Sequence, residues 1–267
     1  MALPPPSEGS TALVTGASSG IGAELARELA GRGYGLTLVA RRRDRLQELA
    51  RELKREHGVQ ANVSVCDLAS PPARTRLLAA VKRRGLDVDI LVNNAGFGSG
   101  GLFHELDAES ELTMVRTNVE AVLHLCTAFV PPMVERGYGS VLNVASVAAF
   151  QPVPRQVTYA ATKSFVLSFT DGLTADLHGT GVSATSLCPG PVPTEFGEVA
   201  AIDDNLMSIP GVSVSPRDTA RQAIEGLDAG KRVVVPGPAT RASAVIGRYA
   251  PRWLTLETMR RFYPVGK

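Results

Sequence analysis

The sequence predicts an α/β protein built on a doubly wound parallel sheet of about seven strands, with helices on both faces. Two observations lead to this fold class. Short β-branched runs alternate with longer segments of helical spacing, which is typical of right-handed βαβ units. The runs are also almost entirely apolar, as in Thr11–Thr15 (TALVT), and a continuously apolar strand indicates burial on both faces.

The predicted strands share a short, apolar, β-branched composition. They cover Thr11–Thr15, Leu36–Ala40, Ala61–Cys66, Ile90–Val92, Val141–Ala145, Val182–Leu187 and Arg232–Val235. Helical spacing separates the early strands: Leu25 and Leu29 share one face of Ala23–Gly31, and leucines recur three and four residues apart in Arg43–Glu56. No linker, repeat or low-complexity segment interrupts the pattern, so we predict one domain over residues 1–267.

The composition argues against several kinds of partner. Of the 267 residues, 44% are apolar and 20% are charged, which suits a buried core and gives no bias towards disorder. The net charge is +2, and no aromatic residues interleave with the arginines, so we expect no nucleic-acid binding. The four histidines lack the spacing of metal ligands, so we expect no metal site.

The cysteine and hydropathy patterns favour a soluble, cytoplasmic protein. Three cysteines lie about sixty residues apart without a C-x-x-C pair, which favours a reducing compartment. No apolar run reaches the roughly 18 residues of a membrane span, and the first ten residues lack the features of a secretory signal. A C-terminal extension at about 238–267 places apolar residues among arginines. We expect it to pack or to form an oligomer contact rather than to bind a membrane.

A glycine-rich turn joins the first predicted strand to the first predicted helix. It reads Thr15-Gly16-Ala17-Ser18-Ser19-Gly20-Ile21-Gly22, with the spacing G-x-x-x-G-x-G. Glycines at such a turn let the backbone approach a pyrophosphate, and the N–H groups at the helix start favour an anion. The turn therefore predicts a dinucleotide site, with a glycine turn that binds nothing as the simpler alternative.

The end of the second predicted strand distinguishes the two nicotinamide dinucleotides. NAD sites place an acidic residue there on the ribose 2′-hydroxyl, whereas NADP sites favour arginine near the 2′-phosphate. This chain has Ala40 followed by Arg41, Arg42 and Arg43. We predict that Arg41 binds the phosphate and that the next two arginines are an ordinary helix start. Asp67, after the third strand, is expected either to accept from the adenine amino group or to cap the next helix.

A tyrosine and a lysine carry the predicted chemistry. Tyr159 and Lys163 are four residues apart in a helical stretch, so they share one face. A nearby ammonium favours the phenolate and lowers the pKa of the phenol, which would make Tyr159 an acid or base near neutrality. Ser146, at the end of the fifth predicted strand, is placed to donate a hydrogen bond to a substrate oxygen. The simpler alternatives are a chance helical pair and a turn-forming serine.

Together these motifs resemble the short-chain dehydrogenase/reductase family, in its shorter, non-extended branch. The matching residues appear in the family's order: TGASSGIG at 15–22, NNAG at 93–96, Asn118, Ser146, YAATK at 159–163, Pro189-Gly190 and Thr194. The segment LVARR before a leucine-spaced helix is similar to the ketoacyl or ketosteroid reductase subset. The resemblance covers about residues 10–235 and implies a Rossmann-type fold, one dinucleotide-binding and catalytic domain, and a homodimer or homotetramer.

The resemblance also implies the role of each residue. Tyr159 protonates the carbonyl oxygen during reduction, Ser146 positions that oxygen, and Lys163 lowers the tyrosine pKa and binds the nicotinamide ribose. Asn118 holds a water that relays protons to Lys163. The implied NADP(H)-binding residues are Gly16, Ser18, Ser19, Gly20, Ile21, Gly22, Arg41, Asp67, Asn93, Ala95, Gly96, Tyr159, Lys163, Pro189 and Thr194.

Apolar residues surround the predicted substrate position. A substrate lid is expected at about 191–214, and Phe97, Phe103, Phe150 and Val153 flank the site. An apolar pocket suits a hydrophobic ketone or a 3-ketoacyl substrate, although the same side chains would also serve to pack the lid. We predict an NADP(H)-dependent oxidoreductase that transfers a hydride between nicotinamide and a carbonyl or alcohol. Two alternatives stay open: a catalytically silent dinucleotide-sensing protein, and a lyase or epimerase on the same fold.

Overall fold

The computed structural model describes residues 3–196 and 213–262, without the side chain of Phe262. Residues 197–212 hold most of the predicted substrate lid, and they lie outside the described residues. Residues 263–267, at the end of the predicted C-terminal extension, lie outside them as well.

The described residues form one parallel sheet. Its strands are β1 Ser10–Thr15, β2 Leu36–Ala40, β3 Ala61–Val65, β4 Asp87–Asn93, β5 Gly139–Val144, β6 Val182–Leu187 and β7 Val233–Val234. They pair in the order β3-β2-β1-β4-β5-β6-β7, and every pairing is parallel. Each strand overlaps a predicted run, and β2 and β6 have the predicted bounds, so the predicted fold class is confirmed.

Helices connect the strands and continue beyond the last one. They are α1 Gly20–Gly31, α2 Arg43–His57, α3 Pro71–Arg83, α4 Ala108–Val115, α5 Ala121–Arg136, α6 Val157–Asp176, α7 Pro216–Asp228, α8 Pro238–Tyr249 and α9 Arg252–Phe262. A π-helical segment, Arg116–Glu120, joins α4 to α5, and a 3₁₀ turn at Val147–Phe150 follows β5. Within the described ranges, no helix has both the length and the hydropathy of a membrane span.

Buried apolar side chains hold helices against both faces of the sheet. On one face, α1, α2 and α7 pack through side chains such as Leu25, Leu46 and Ile224. On the other face, α3, α5 and α6 pack through side chains such as Leu125 and Val166. Burying one side chain of this size stabilises the fold by about 1.5–3 kcal/mol, and these layers therefore fix the strand ends rigidly.

The strand order reverses between β1 and β4. The chain first builds outward through β2 to β3 and then crosses back to add β4 on the other side of β1. Connections that leave neighbouring strands in opposite directions open a crevice at the carboxyl ends of those strands. The loops after β1, β4 and β5 therefore meet around one cavity.

Candidate active site

A cleft of about 970 Å³ opens at the carboxyl ends of the strands. Its wall takes residues from the loops after β1 to β6 and from the start of α6. We call one part the glycine-turn end, which comprises Gly16–Gly22, Arg41, Arg42 and Glu195. We call the other part the catalytic end, which comprises Ser146, Tyr159 and Lys163. Both parts line the same cleft, as the sequence predicts.

The glycine turn leaves no room for side chains at two positions. A Cβ added to Gly16 would lie 2.7 Å from Asn94 Nδ2, and one added to Gly22 would lie 2.3 Å from the Gly16 oxygen. Gly16 also has a φ of 67°, in the left-handed region that glycine adopts at little cost. The helix cap Ser19 makes no side-chain cap bond, so the first N–H groups of α1 are available to an anion. These residues fit the pyrophosphate of a dinucleotide.

The two asparagines after β4 face different surroundings. Asn93 is 3% exposed, and its Nδ2 donates to Asn143 Oδ1 at 2.8 Å inside the protein. Asn94 lines the cleft, and its Nδ2 donates to the Thr15 oxygen at 2.9 Å. Asn94 thus lines the cleft where the sequence analysis expects Asn93, and the predicted contact of Asn93 with the cofactor stays a prediction. The physical reason is that successive side chains of a strand point to opposite faces.

Arg42 belongs to the run that the sequence predicts to be an ordinary helix start, yet it reaches the glycine turn. It lines the cleft beside Arg41. Its guanidinium donates to Ser18 Oγ at 3.1 Å and to Ser19 Oγ at 2.6 Å. The run of three arginines was the available signal, but only the folded chain shows which of them reaches back to the glycine turn. Arg41 and Arg42 together make this end of the cleft basic.

Glu195 closes the glycine-turn end from the opposite side. Its Oε2 pairs with Arg42 Nη1 at 2.7 Å, and its other oxygen pairs with Arg45. The hydrogen bonds from Arg45 and Arg42 lower the pKa of Glu195 to about 2. Next to it, Thr194 lies against the turn, because a Cβ added to Gly20 would be 3.1 Å from Thr194 Cγ2. Thr194 therefore lies in the cleft wall as predicted, whereas no sequence motif indicates that Glu195 lies there.

The three predicted catalytic side chains meet at the other end. Ser146 follows β5, and its Oγ accepts from Ala148 N at 3.1 Å. Tyr159 and Lys163 lie one turn apart in α6 and are 7% and 5% exposed. Lys163 Nζ donates to the Val144 oxygen at 2.8 Å and lies 5.7 Å from the centre of the Tyr159 ring. Side chains from β5 and α6 therefore converge on one small volume.

Burial controls the protonation of Tyr159 and Lys163. Burial raises the pKa of Tyr159 to about 12, and a hydrogen bond with Ser146 offsets only part of this rise. Burial lowers the pKa of Lys163 to about 8. Desolvation of the phenolate is thus the largest influence on the pKa of Tyr159, and the predicted lowering by Lys163 stays a prediction. Near neutral pH, Tyr159 is a neutral phenol with a proton to donate.

Asn118 lies behind the cleft wall, in the π-helical segment, and is 1% exposed. Its Oδ1 accepts from Phe97 N at 3.2 Å, and its Nδ2 donates to Phe97 O at 3.0 Å and to Thr162 Oγ1 at 3.1 Å. A Cβ added to Gly96 would lie 2.9 Å from Asn118 Oδ1 and 3.4 Å from Lys163 Nζ. Asn118 therefore holds the loop after β4 against the catalytic end, and its predicted water-binding role stays a prediction.

Residues 10–204 match the family model described as short chain dehydrogenase. The chain belongs to the short chain dehydrogenase family. The predicted family is thereby confirmed, together with the Rossmann-type fold. This chain is accordingly an oxidoreductase, and its cleft brings the glycine turn and the Ser146–Tyr159–Lys163 cluster together.

Individual relatives match most of this dehydrogenase. The NADP-dependent 3-hydroxy acid dehydrogenase YdfG of Escherichia coli K12 is 38% identical over 189 residues, 70% of this chain and 75% of its own. Sulfoacetaldehyde reductase 2 of Chromohalobacter salexigens is 37% identical over 198 residues, 73% of this chain and 78% of its own. A solved short-chain dehydrogenase from Sphingobium yanoikuyae, in complex with NADPH, has a TM-score of 0.80 and 32% identity over 97% of both chains.

Five further residues that are predicted to bind the cofactor lie in the cleft wall. Ile21, Asp67, Ala95, Gly96 and Pro189 all line it. The capping alternative for the aspartate is excluded, because the cap of α3 is Ser70, whose Oγ accepts from the Ala73 N–H at 3.4 Å. The aspartate instead accepts from the Ala69 N–H at 3.1 Å.

The substrate side of the wall combines apolar and polar side chains and differs in part from the prediction. Phe97 and Val153 line the cleft as predicted. Phe103 is 61% exposed, and Phe150 packs with the apolar layer beneath the sheet, so neither forms part of the wall. Met259, from α9, does line the cleft, although nothing in the sequence indicates how the C-terminal extension folds back.

Proposed function

We propose that the chain is an NADP(H)-dependent oxidoreductase that transfers a hydride between nicotinamide and the carbonyl or alcohol carbon of a hydrophobic ketone or 3-ketoacyl substrate. One observation carries this proposal. Ser146, Tyr159 and Lys163 line the same cleft as a glycine turn shaped for dinucleotide phosphates. When bound, NADPH supplies the hydride.

The cofactor is NADP(H). No carboxylate follows β2, where an NAD enzyme needs one, and Arg41 and Arg42 occupy that part of the wall. A guanidinium beside two serine hydroxyls is a strong donor set for a phosphate. The E. coli relative is named as NADP-dependent, and the Sphingobium structure contains NADPH. Arg41 keeps its predicted role at the 2′-phosphate, and Arg42 shares it.

Tyr159 donates the proton to the carbonyl oxygen in the reductive direction. Its raised pKa keeps the hydroxyl protonated near neutral pH, which is the form that an acid needs. Ser146, hydrogen-bonded to Tyr159, donates to the same substrate oxygen and fixes its position. The Lys163 ammonium, held by Val144, stabilises the tyrosinate that remains after the proton has left.

The apolar wall supports an apolar substrate body. Val153, Ala148 and Met114 form a small buried cluster with Tyr159, and Phe97 packs against it. The Phe196 ring lies 5.5 Å from the Tyr159 ring, centre to centre, and packs against that side chain. Apolar side chains around one proton donor keep water away from the reacting carbonyl.

We further propose one domain that assembles as a cytoplasmic homodimer or homotetramer. The helices α5 and α6 expose Leu123 and Phe165, and Phe165 stacks on Phe169 at 5.9 Å, so an apolar face is available for a second copy. Cys66, Cys126 and Cys188 are free and buried, in keeping with a reducing compartment.

A screen of ketones and 3-ketoacyl thioesters tests the proposal. The assay follows the loss of NADPH absorbance and identifies the alcohol product, and the Tyr159→Phe variant is the control for background oxidation. We expect one alcohol formed per NADPH consumed. Binding of NADPH without consumption for any carbonyl compound would favour the sensing protein, and product formation without net consumption would favour the lyase or epimerase.

A further inference from the structure

We propose that Arg155 binds an anionic group of the substrate at the rim of the cleft, so that the enzyme prefers carbonyl compounds carrying a carboxylate or a phosphate. This inference rests on the proposed function and narrows the substrate class of the same site. The anion subsite lies four residues before Tyr159 in the chain. It adds a charged contact to a part of the wall that also holds apolar Val153 and polar Gln151 and Gln156.

Arg155 has an unusual and well-fixed backbone. Its φ is 65°, and among the described residues it is the one non-glycine residue with a positive φ. A side chain in this region is strained, and glycine would be the residue that fits without cost. The Arg155 oxygen accepts from Gly101 N at 2.9 Å, and Gln156 N donates to the Val153 oxygen at 3.2 Å. Since α6 begins at Val157, the backbone from which the Arg155 side chain extends has a defined position.

Among the described residues, no carboxylate pairs with the Arg155 guanidinium and would compete with an incoming anion. Arg155 lines the cleft, and in the described part of the chain its side chain makes no hydrogen bond or ion pair. The carboxylates of the cleft wall are elsewhere: Glu195 is paired with Arg42, and Asp67 follows β3 at the far edge of the sheet. The catalytic side of the described wall therefore holds two cations, Arg155 and Lys163, without a carboxylate.

This arrangement selects a particular kind of molecule. The arginine fork binds planar or tetrahedral oxyanions through two parallel, charge-assisted hydrogen bonds. Arg155 is exposed, so an incoming anion can reach it. A substrate with a ketone at Tyr159 and an anion at the rim would be held at two points with its apolar part along Val153. The anion is either the carboxylate of a keto acid or a phosphate of a thioester carrier.

Four substrates with the same reacting ketone test the subsite. Acetoacetate and methyl acetoacetate differ in a carboxylate. Acetoacetyl-coenzyme A carries phosphates, and acetoacetyl-N-acetylcysteamine, which lacks the nucleotide and pantoate parts of the carrier, carries none. The variant Arg155→Gly removes the guanidinium and should keep the fold, because glycine adopts a φ of 65° without strain. Arg155→Lys keeps the charge and loses the fork, and Arg83→Gln removes an exposed charge at the end of α3.

We expect Arg155→Gly to raise KM about tenfold for one anionic substrate and to leave its kcat unchanged. The KM values of the two neutral substrates should not change. A tenfold change corresponds to about one charge-assisted hydrogen bond. Loss confined to acetoacetate assigns a carboxylate, and loss confined to the coenzyme A thioester assigns a phosphate. Arg155→Lys should recover part of the loss, and Arg83→Gln should leave KM unchanged.

Equal changes in KM for the anionic and the neutral substrates would overturn the anion subsite and leave the proposed function standing. A wild-type enzyme that reduces none of the four substrates, nor any ketone in the wider screen, would overturn both. The two failures are therefore distinguishable by whether NADPH is consumed at all.

Discussion

The ionisable groups at the two ends of the cleft differ in their exposure to water. At the glycine-turn end, the side chains of Arg42 and Glu195 are 43% and 41% exposed, and their charges pair with one another in contact with water. At the catalytic end, Tyr159 and Lys163 are almost completely buried beside apolar side chains. Both ends contain a cation and an acidic group, so exposure is the difference between them.

The pKa values follow that difference in exposure. Pairing with two arginines lowers the pKa of Glu195 to about 2 and so reinforces its charged form. Burial raises the pKa of Tyr159 and lowers that of Lys163, so it favours the neutral form of each. The exposed end therefore holds fixed charges, which suit phosphate binding. The buried end holds a phenol that keeps its proton near neutral pH, which is the form that a general acid needs.

The largest effect is expected where the proton donor is removed from the buried end. Tyr159→Phe deletes only the hydroxyl, so kcat for any ketone should fall by about 10²–10⁴-fold, the usual contribution of a general acid. The measurement is kcat by NADPH absorbance. The NADPH dissociation constant and the melting temperature serve as controls and should stay near the wild-type values. A variant that keeps more than about a tenth of the activity would lie outside this range and would rule out Tyr159 as the acid.

The second prediction concerns the buried ammonium and the stability of the cofactor-free protein. The pKa of Lys163 falls from 10.5 to about 8, so between these values the unfolded state binds the extra proton and stability rises with pH. Lys163→Met removes this cost. Its stability advantage over the wild type should be greatest below about pH 8 and shrink above it by up to about 1.4 kcal/mol per pH unit.

Urea unfolding at several pH values measures this difference. Tyr159, whose pKa rises from 10.0 to about 12, is present in both proteins, so its own contribution cancels in the difference. A difference between the two proteins that does not change from about pH 7 to pH 10 would contradict the burial argument.

Substitutions at the exposed glycine-turn end should reduce the preference of the protein for NADPH over NADH. Arg42→Ala removes a guanidinium near Ser18 and Ser19, and Arg41→Ala removes its neighbour. Each change should weaken NADPH binding by about 1.5–3 kcal/mol, the scale of a charge-assisted hydrogen bond, and leave NADH binding nearly unchanged. Titration calorimetry with both cofactors checks this. Equal losses for the two cofactors would remove these arginines from the 2′-phosphate site.

The smallest effect is expected for Glu195, whose carboxylate occupies Arg42 in the cofactor-free protein. Exposed ion pairs contribute about 0–1 kcal/mol, so Glu195→Gln should tighten NADPH binding by no more than about fivefold and leave NADH unchanged. Glu109→Gln is the matched control, since Glu109 pairs with Arg116 away from the cleft. Weaker NADPH binding in Glu195→Gln would mean that the carboxylate helps to hold the arginines in place rather than competing with the phosphate.

Local patterns were enough to predict the sheet and most of the site. The continuously apolar runs locate all seven strands, and the four-residue spacing of Tyr159 and Lys163 puts both on one face of α6. The pattern did not predict α4 and α5, because Pro131 and Pro132 lie inside the second of these helices. It also gave no sign that Met259 returns to the cleft, since that depends on how α8 and α9 pack.

The sequence by itself determined the features that depend on neighbours in the chain: strand and helix type, the glycine turn, the absence of an acid after β2, and the order of the family's motifs. Tertiary structure alone decided which arginine reaches the serines of that turn, which asparagine faces the cleft, and whether Tyr159 is a stronger or weaker acid than a free tyrosine. The physical reason is the separation along the chain over which each effect acts. Backbone preference acts over a few residues, whereas side-chain reach and desolvation depend on elements far apart in the chain.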